Sequence, residues 1–262
     1  MISPPTARRG GSAGVGLSVG GGPEDVHPVV DGGWIATWCP LYVASMRITQ
    51  LGHSCLLVQA RGQRILVDPG AFSPGIDDLT GLQVILVTHQ HADHVDLQRL
   101  PALVEINPQA RLYAEPQAAA AMQKAGIGAE YTVAGKTLTF GPVEITPVGQ
   151  MHALINEALP RVGNLGVVIR SEGEPSLFHP GDAYDAEPGK IDILALPLNA
   201  PWTASRDTIA FARRISPRVC IPIHDALLSA IGRRLYLSQV KSFGPDDMQV
   251  RDLADGNAVE FT

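Results

Sequence analysis

The stretch VILVTHQHADH, residues 84–94, decides the fold. Its first five residues run apolar with little polar alternation, as in a strand covered on both faces. Directly behind them stand His89, His91, Asp93 and His94, four metal-capable groups within six residues of a chain with only 8 histidines. In extended backbone, positions two apart point the same way and lie about 6.6 Å apart. His89 and His91 can therefore reach one cation at the usual bond length of about 2.1 Å. Asp93 continues that face, and a bend into a helix there would swing Asp93 and His94 toward a second cation.

The same placement recurs along the chain. His152 follows VEITPVGQM, Asp182 follows SLFHPG and His224 follows VCIPI, each just past the end of an apolar run. If those strands lie side by side, all seven groups meet along one rim, where loops on a rigid scaffold carry function.

From Met46 onward the pattern is dense and regular. MRIT, SCLLVQA and RILVD read as an antiparallel meander punctuated by Gly52 and Gly62. Helices are expected over 98–107, over 116–125 between Pro116 and Gly126, over 205–215 with Ser205 as N-cap, and over about 225–242. TLTF, VEITPVG, GVVIRS, SLFH, DILALPL and VCIPI supply further strands, and two short strands around Asp255-Gly256 close the chain. Strands come in runs with helices between, which favours an α+β fold of two sheets with helices outside.

Residues 1–45 differ. They are rich in Gly and Pro and show no sustained period, so they read as a disordered or poorly ordered extension preceding one domain over 46–262. An upstream start-codon artefact would explain the same segment. Arg8-Arg9 ahead of a Gly-rich run faintly suggests a twin-arginine leader, but that run is too weakly apolar for a signal sequence. Over its 262 residues the chain carries a formal net charge of -6, which disfavours a nucleic-acid-wrapping surface. No apolar run approaches the roughly 18 residues that span a bilayer. Cys39, Cys55 and Cys220 are too few and scattered for a disulfide framework and read as small buried hydrophobes. A cytoplasmic protein acting on a small molecule is the expectation; a homo-oligomer is compatible with it, a membrane protein is not.

THQHADH, followed by a His, a Gly-Asp and a C-terminal His, resembles the metallo-β-lactamase superfamily. LGHSC (51–55), ILVDPG (65–70), FHPGDAYD (178–185) and IPIHD (221–225) are similar to its ascorbate-6-phosphate lactonase-like branch of bacterial metal-dependent hydrolases. The resemblance implies a four-layer αβ/βα sandwich with a binuclear site. His89, His91 and His152 would hold one cation; Asp93, His94 and His224 the other; Asp182 would bridge them. Asp68 would support the metal loop, or else is a strand-terminating turn residue. His53 and His179 sit in family motifs and are either supporting or substrate-contacting groups or hydrogen-bonded loop histidines. Tyr184 and Trp202 either line the pocket or pack in the core.

Five neutral imidazoles and two carboxylates around two divalent ions and a bridging hydroxide leave a charge of about +1. Such a site generates hydroxide near neutral pH and favours an anionic or oxyanion-forming substrate: an ester, lactone or phosphodiester. Mixed nitrogen and oxygen ligation without thiolate suits zinc, and tolerates manganese or iron. Asp93 is the group to orient the hydroxide or pass a proton, and Asp93 and Asp182 are the catalytic candidates. The rival expectations are an RNA or DNA phosphodiesterase of the same superfamily and a non-catalytic metal-binding regulator.

Overall fold

The computed structural model describes residues 45–262. The expectations for residues 1–44, including Cys39, His27 and Arg8-Arg9, fall outside the described residues. VILV becomes β4 (Val84–Val87), buried at every position. It pairs in parallel with β3 (Gln63–Val67) on one side and β5 (Arg111–Ala114) on the other. Its side chains divide by parity, as a period of two requires. Val84 and Leu86 join a core of apolar residues drawn from both sheets, while Ile85 and Val87 pack on the outside with the first two helices.

The first sheet has seven strands. β3 continues through β2 (Leu56–Ala60) and β1 (Met46–Gln50), the expected antiparallel meander, to β14 (Val259–Phe261); β5 leads to β6 (Glu130–Tyr131) at the other edge. The second sheet also has seven, in the order β13 (Gln249–Val250), β12 (Val219–Ile223), β11 (Ile193–Pro197), β10 (Leu177–His179), β9 (Gly166–Ser171), β8 (Val143–Val148) and β7 (Leu138–Phe140). Ile169, Ile193 and Ile221 face the first sheet, whereas Val168, Leu194 and Cys220 face outward. Outside the first sheet lie α1 (Leu100–Glu105) and α2 (Pro116–Lys124); outside the second lie α3 (Ser205–Ile215) and α4 (Ala230–Phe243). The layers are αβ/βα, as expected. None of the described helices is long and apolar enough to cross a membrane.

Several local expectations need correction. After β4 the chain does not bend into a helix at Asp93; it makes a single turn, with the amides of His94 and Val95 both donating to the His91 carbonyl. The N-cap of α3 is Ala204, not Ser205; its amide is taken by the Asp207 carboxylate at 3.1 Å, which supplies the cap from inside the first turn. α4 starts at Ala230, capped by Ser229, because 225–229 form the loop behind His224. RLYA and EY, which the pattern did not disclose, become β5 and β6, short strands held by parallel pairing. The two closing strands do flank Asp255-Gly256 as expected, β13 joining the second sheet and β14 the first. Cys55 and Cys220 are buried free thiols, and burial pushes both up from the usual thiol range.

Candidate metal centre

The four strands do not lie side by side, since β4 belongs to the first sheet and β8, β10 and β12 alternate with β9 and β11 in the second, yet the loops at their ends converge. Three groups of side chains bring donor atoms within 4.8 Å of one another: His89, His91 and His152; His53, Asp93, His94 and His224; and His89, His94 and Asp182. The last joins the other two, so all seven expected groups and His53 occupy one cluster.

Hydrogen bonds on the far side of each ring decide which nitrogen faces inward. His94 Nδ1 donates to Asp68 Oδ2 at 2.6 Å, His152 Nδ1 to the Ala153 carbonyl at 2.6 Å, and His224 Nδ1 to the Asn199 carbonyl at 2.7 Å. The Thr88 hydroxyl gives its proton to Asp68 Oδ2, so its oxygen accepts from His89 Nδ1 at 3.1 Å. Four rings therefore keep a proton at Nδ1 and turn Nε2 toward the centre, where a cation would meet a lone pair once any second proton has left. His91 differs: its Nδ1 lies 3.1 Å from His89 Nε2 and is the inward atom. Three of the converging atoms, His94 Nε2, His152 Nε2 and Asp182 Oδ1, are buried without a hydrogen-bond partner. Buried polar atoms are normally satisfied, and nitrogen and oxygen donors gathered this way fit a divalent cation.

Asp68 is the keystone. At φ +53° and fully buried, it accepts the Thr88 amide at Oδ1 (2.8 Å) and both the Thr88 hydroxyl and His94 at Oδ2. It thus orients His94 directly and His89 through Thr88, which favours the supporting role over that of a turn residue. Two glycines let these loops approach. A Cβ on Gly70 would meet the Asp93 carbonyl oxygen at 1.8 Å, and one on Gly181 would meet Asn164 Oδ1 at 2.3 Å. His53 and His224 also adopt left-handed backbone, at φ +49° and +57°. Non-glycine residues held there cost of order 1–3 kcal/mol each and cluster at functional sites.

The remaining candidates separate. His53 Nδ1 accepts the Ala226 amide at 3.3 Å, so its proton sits on Nε2 and is donated to Asp93 Oδ2 at 3.2 Å. That tautomer makes His53 a donor that holds Asp93 in place, although proximity alone groups it with the ligands. Both nitrogens of His179 are taken by backbone, Nε2 donating to the Ser54 carbonyl and Nδ1 accepting from Gly181, so it staples two loops together. Tyr184 is packed: its hydroxyl donates to the Pro197 carbonyl, and its ring stacks on Phe211. Trp202 is half-buried in the site, its Nε1–H donating to Asp182 Oδ2 at 2.9 Å. Thr88 stands in the THQHADH motif but was given no role from the sequence, and Asn164 and Asn199 were not singled out. Asn164 accepts the Asp182 amide and donates to the Pro180 carbonyl, fixing the loop that carries Asp182. No local pattern marks such a residue; only the crossing of distant loops does.

Charge is partitioned across the cluster. Burial and neighbouring His94 push His89 well below its usual value; burial and His152 lower His91. Burial opposes charge on His94 too, but the Asp182 and Asp68 carboxylates outweigh it and hold His94 well above. His224 is likewise raised against its burial to about 9, by hydrogen bonds to Asp182 and Asp93. Burial would raise Asp182, yet His94, His152 and His224 hold it well below the carboxylate range, and His224 and His53 do the same for Asp93.

Two outcomes follow from this arrangement. A cation must displace protons from His94 and His224, both charged at pH 7 in the metal-free site. Zinc titrations by calorimetry in buffers of different ionisation enthalpy should show more than one proton released at pH 7. The count should fall by about one at pH 10, where His224 is already neutral; release near zero at pH 7 would contradict it. Replacing Asp68 by Asn should weaken zinc binding about 10–100-fold against a competing chelator, with an unchanged far-ultraviolet spectrum; undiminished affinity would show that His94 needs no such support.

The comparisons with known proteins agree with this geometry. A family model described as a beta-lactamase superfamily domain matches residues 47–224. Protein Rv0786c of Mycobacterium tuberculosis is 38% identical over 217 residues, which cover 82% of this chain and 100% of that protein. A UPF0173 metal-dependent hydrolase of Anoxybacillus flavithermus is 27% identical over 235 residues, covering 82% of this chain and 100% of that one. Among solved structures, the metallo-beta-lactamase fold protein YhfI of Bacillus subtilis superposes with a TM-score of 0.66 at 16% identity, over 83% of this chain and 99% of YhfI. The chain belongs to the metallo-β-lactamase superfamily, and shares its fold and a His/Asp cluster fit for metal.

Proposed function

We propose that the protein is a hydrolase that binds two divalent cations and cleaves an ester, lactone or phosphodiester of a small anionic substrate. One observation carries the reading: four imidazoles with their outer nitrogens tied to protein acceptors aim their inner nitrogens at two carboxylates in a single cluster. His89, His91 and His152 would hold one cation, Asp93, His94 and His224 the other, with Asp182 between them. Zinc is the metal proposed. Cations held there supply Lewis acidity toward the scissile carbonyl or phosphoryl oxygen and acidify a water.

The chain's own residues do the rest. Asp93 keeps 22% of its side chain exposed, with Oδ2 fixed by the His53 N–H. Held as a carboxylate, it can accept a hydrogen bond from the attacking water and set its direction. Asp182 is pinned by the Trp202 indole and by its own backbone amide on Asn164, so it cannot swing as charge builds on the substrate. The four N–H donors on the outer side keep each imidazole in one tautomer throughout. The UPF0173 relatives bear the name metal-dependent hydrolase, which supports the reaction class. LGHSC, ILVDPG, FHPGD and IPIHD, the motifs behind the lactonase-like assignment, supply His53, Asp68 with Gly70, Gly181 with Asp182, and His224. The acidic balance of 26 Asp and Glu against 20 Lys and Arg argues for a small-molecule substrate over nucleic acid.

The zinc-reconstituted protein should turn over at least one member of a panel of lactones, phosphodiesters and activated esters, with the activity lost on chelation. His89→Ala and Asp182→Ala should each lose bound metal and at least about 100-fold in turnover. Retained turnover in either variant would show that the chemistry happens elsewhere, and less than one equivalent of metal after reconstitution would remove the basis for it.

A further inference from the structure

Eleven large apolar side chains are exposed among the described residues, and five of them sit on the three loops that surround the metal cluster: Phe72, Leu154, Ile155, Leu159 and Leu227, each 38–57% exposed. Their position is not incidental to the cluster. Phe72 stands edge-on to the His53 ring, with centroids 5.2 Å apart. Ile155 and Leu159 line one small cavity with His91 and His152. Leu227 follows Ala226, whose amide bonds the His53 ring. Apolar groups gathered at the mouth of a polar centre mark a place where something apolar docks.

The same rim carries a cation. Arg161 lies in the wall with Ile155 and Leu159, its Nε and Nη2 both donating to the His152 carbonyl, at 3.0 and 2.7 Å. A substrate that suits this mouth has two parts: a polar, anionic or oxyanion-forming head for the cluster and an aliphatic part for the loops.

We infer that the substrate is an amphiphile, with an alkyl or acyl chain lying on the rim formed by Phe72, Ile155, Leu159 and Leu227 while its hydrolysable head sits at the metal cluster. The inference rests on the hydrolase reading above and narrows it from a small anion to a chain-bearing one. A chain of about six to ten carbons is the occupant proposed. Starting beside His91 and His152 it would cover Ile155 and Leu159, which line the same cavity, whereas a two-carbon group would leave more of the rim in water.

The test is binding, so that it does not depend on guessing the scissile bond. Ethylphosphonate and octylphosphonate are titrated by calorimetry into the zinc-loaded full chain. A methylene that leaves water completely is worth about fourfold in affinity. Six extra methylenes on a partly open rim should therefore make octylphosphonate at least about tenfold tighter. In the variant Leu154→Ser, Ile155→Ser, Leu159→Ser the ratio should fall to within about threefold, with zinc content measured alongside. Phe72→Ser with Leu227→Ser gives an independent variant should the first not fold. Equal affinities for the two probes, or a ratio that survives in both variants, overturns the inference while leaving the hydrolase reading intact. If neither phosphonate binds a protein that carries its zinc, the anion site itself is wrong and both readings fall. A wild-type dimer that dissociates in the variants while the ratio is unchanged assigns the rim to a second copy of the chain, and overturns it too.

Discussion

The structure depends on where the protons of four imidazoles sit. A neutral histidine offers one donor and one acceptor, and the ring by itself has no reason to choose. Here the choice is made outside the cluster, by a carboxylate at His94, a hydroxyl at His89 and main-chain carbonyls at His152 and His224. Each outer bond removes a rotational freedom and a tautomer together. The inner nitrogens are then aimed before any cation arrives, and the Nε2 atoms of His94 and His152, buried without a hydrogen-bond partner, show the cost that this protein carries for that preparation.

The fold exists to bring those outer partners together. Asp68 ends one strand and Thr88 the next, so the parallel pair β3 and β4 delivers carboxylate and hydroxyl to the same height at their C-terminal ends. The opposite sheet brings Asp182 and His224 to the rim in the same way, after β10 and β12. The two halves are tied across the cleft by single bonds between loops: the His224 amide to the His53 carbonyl, the His179 ring to the Ser54 carbonyl, and the Leu165 amide to the Thr88 carbonyl. Left-handed backbone at His53, Asp68 and His224 is the strain that these crossings impose. Among the described non-glycine residues it is confined to those with a part in the cluster, apart from Arg61 in the β2–β3 turn and Ser216, the C-cap of α3.

Much of this was legible in the chain itself, and the reason is physical. A short uninterrupted apolar run closed by a polar loop fits a strand buried on both faces, and a cluster of histidines and a carboxylate directly behind it fits a metal loop; VILVTHQHADH carries both signals. Asp182 and His224 announce themselves by repeating that grammar. What stayed hidden are roles created by contact between distant loops. Nothing near Asn164 marks it as the clamp on Asp182, and the Ala153 and Asn199 carbonyls have no side-chain signature at all. The ambiguity at His53 could be resolved only by the Ala226 amide, 173 positions away, which fixes its proton on the side of Asp93. Likewise Tyr184 and Trp202, neighbours in space, differ in role because one phenol finds a backbone carbonyl and one indole finds a carboxylate. Helix boundaries failed for a related reason: residues 225–229 have helical composition but are needed as the loop that carries the His224 end of the cluster.

Placing the metals directly is the measurement that bears hardest on this account. Anomalous diffraction at the zinc absorption edge from crystals of the metal-loaded protein should show two peaks within the cluster. One should lie at bonding distance from His89 Nε2, His91 Nδ1 and His152 Nε2. The other should contact His94 Nε2, His224 Nε2 and Asp93, with His53 still bonded to the carboxylate and not to the ion. A peak bound through the outer nitrogens, or density for a cation away from these side chains, would contradict it.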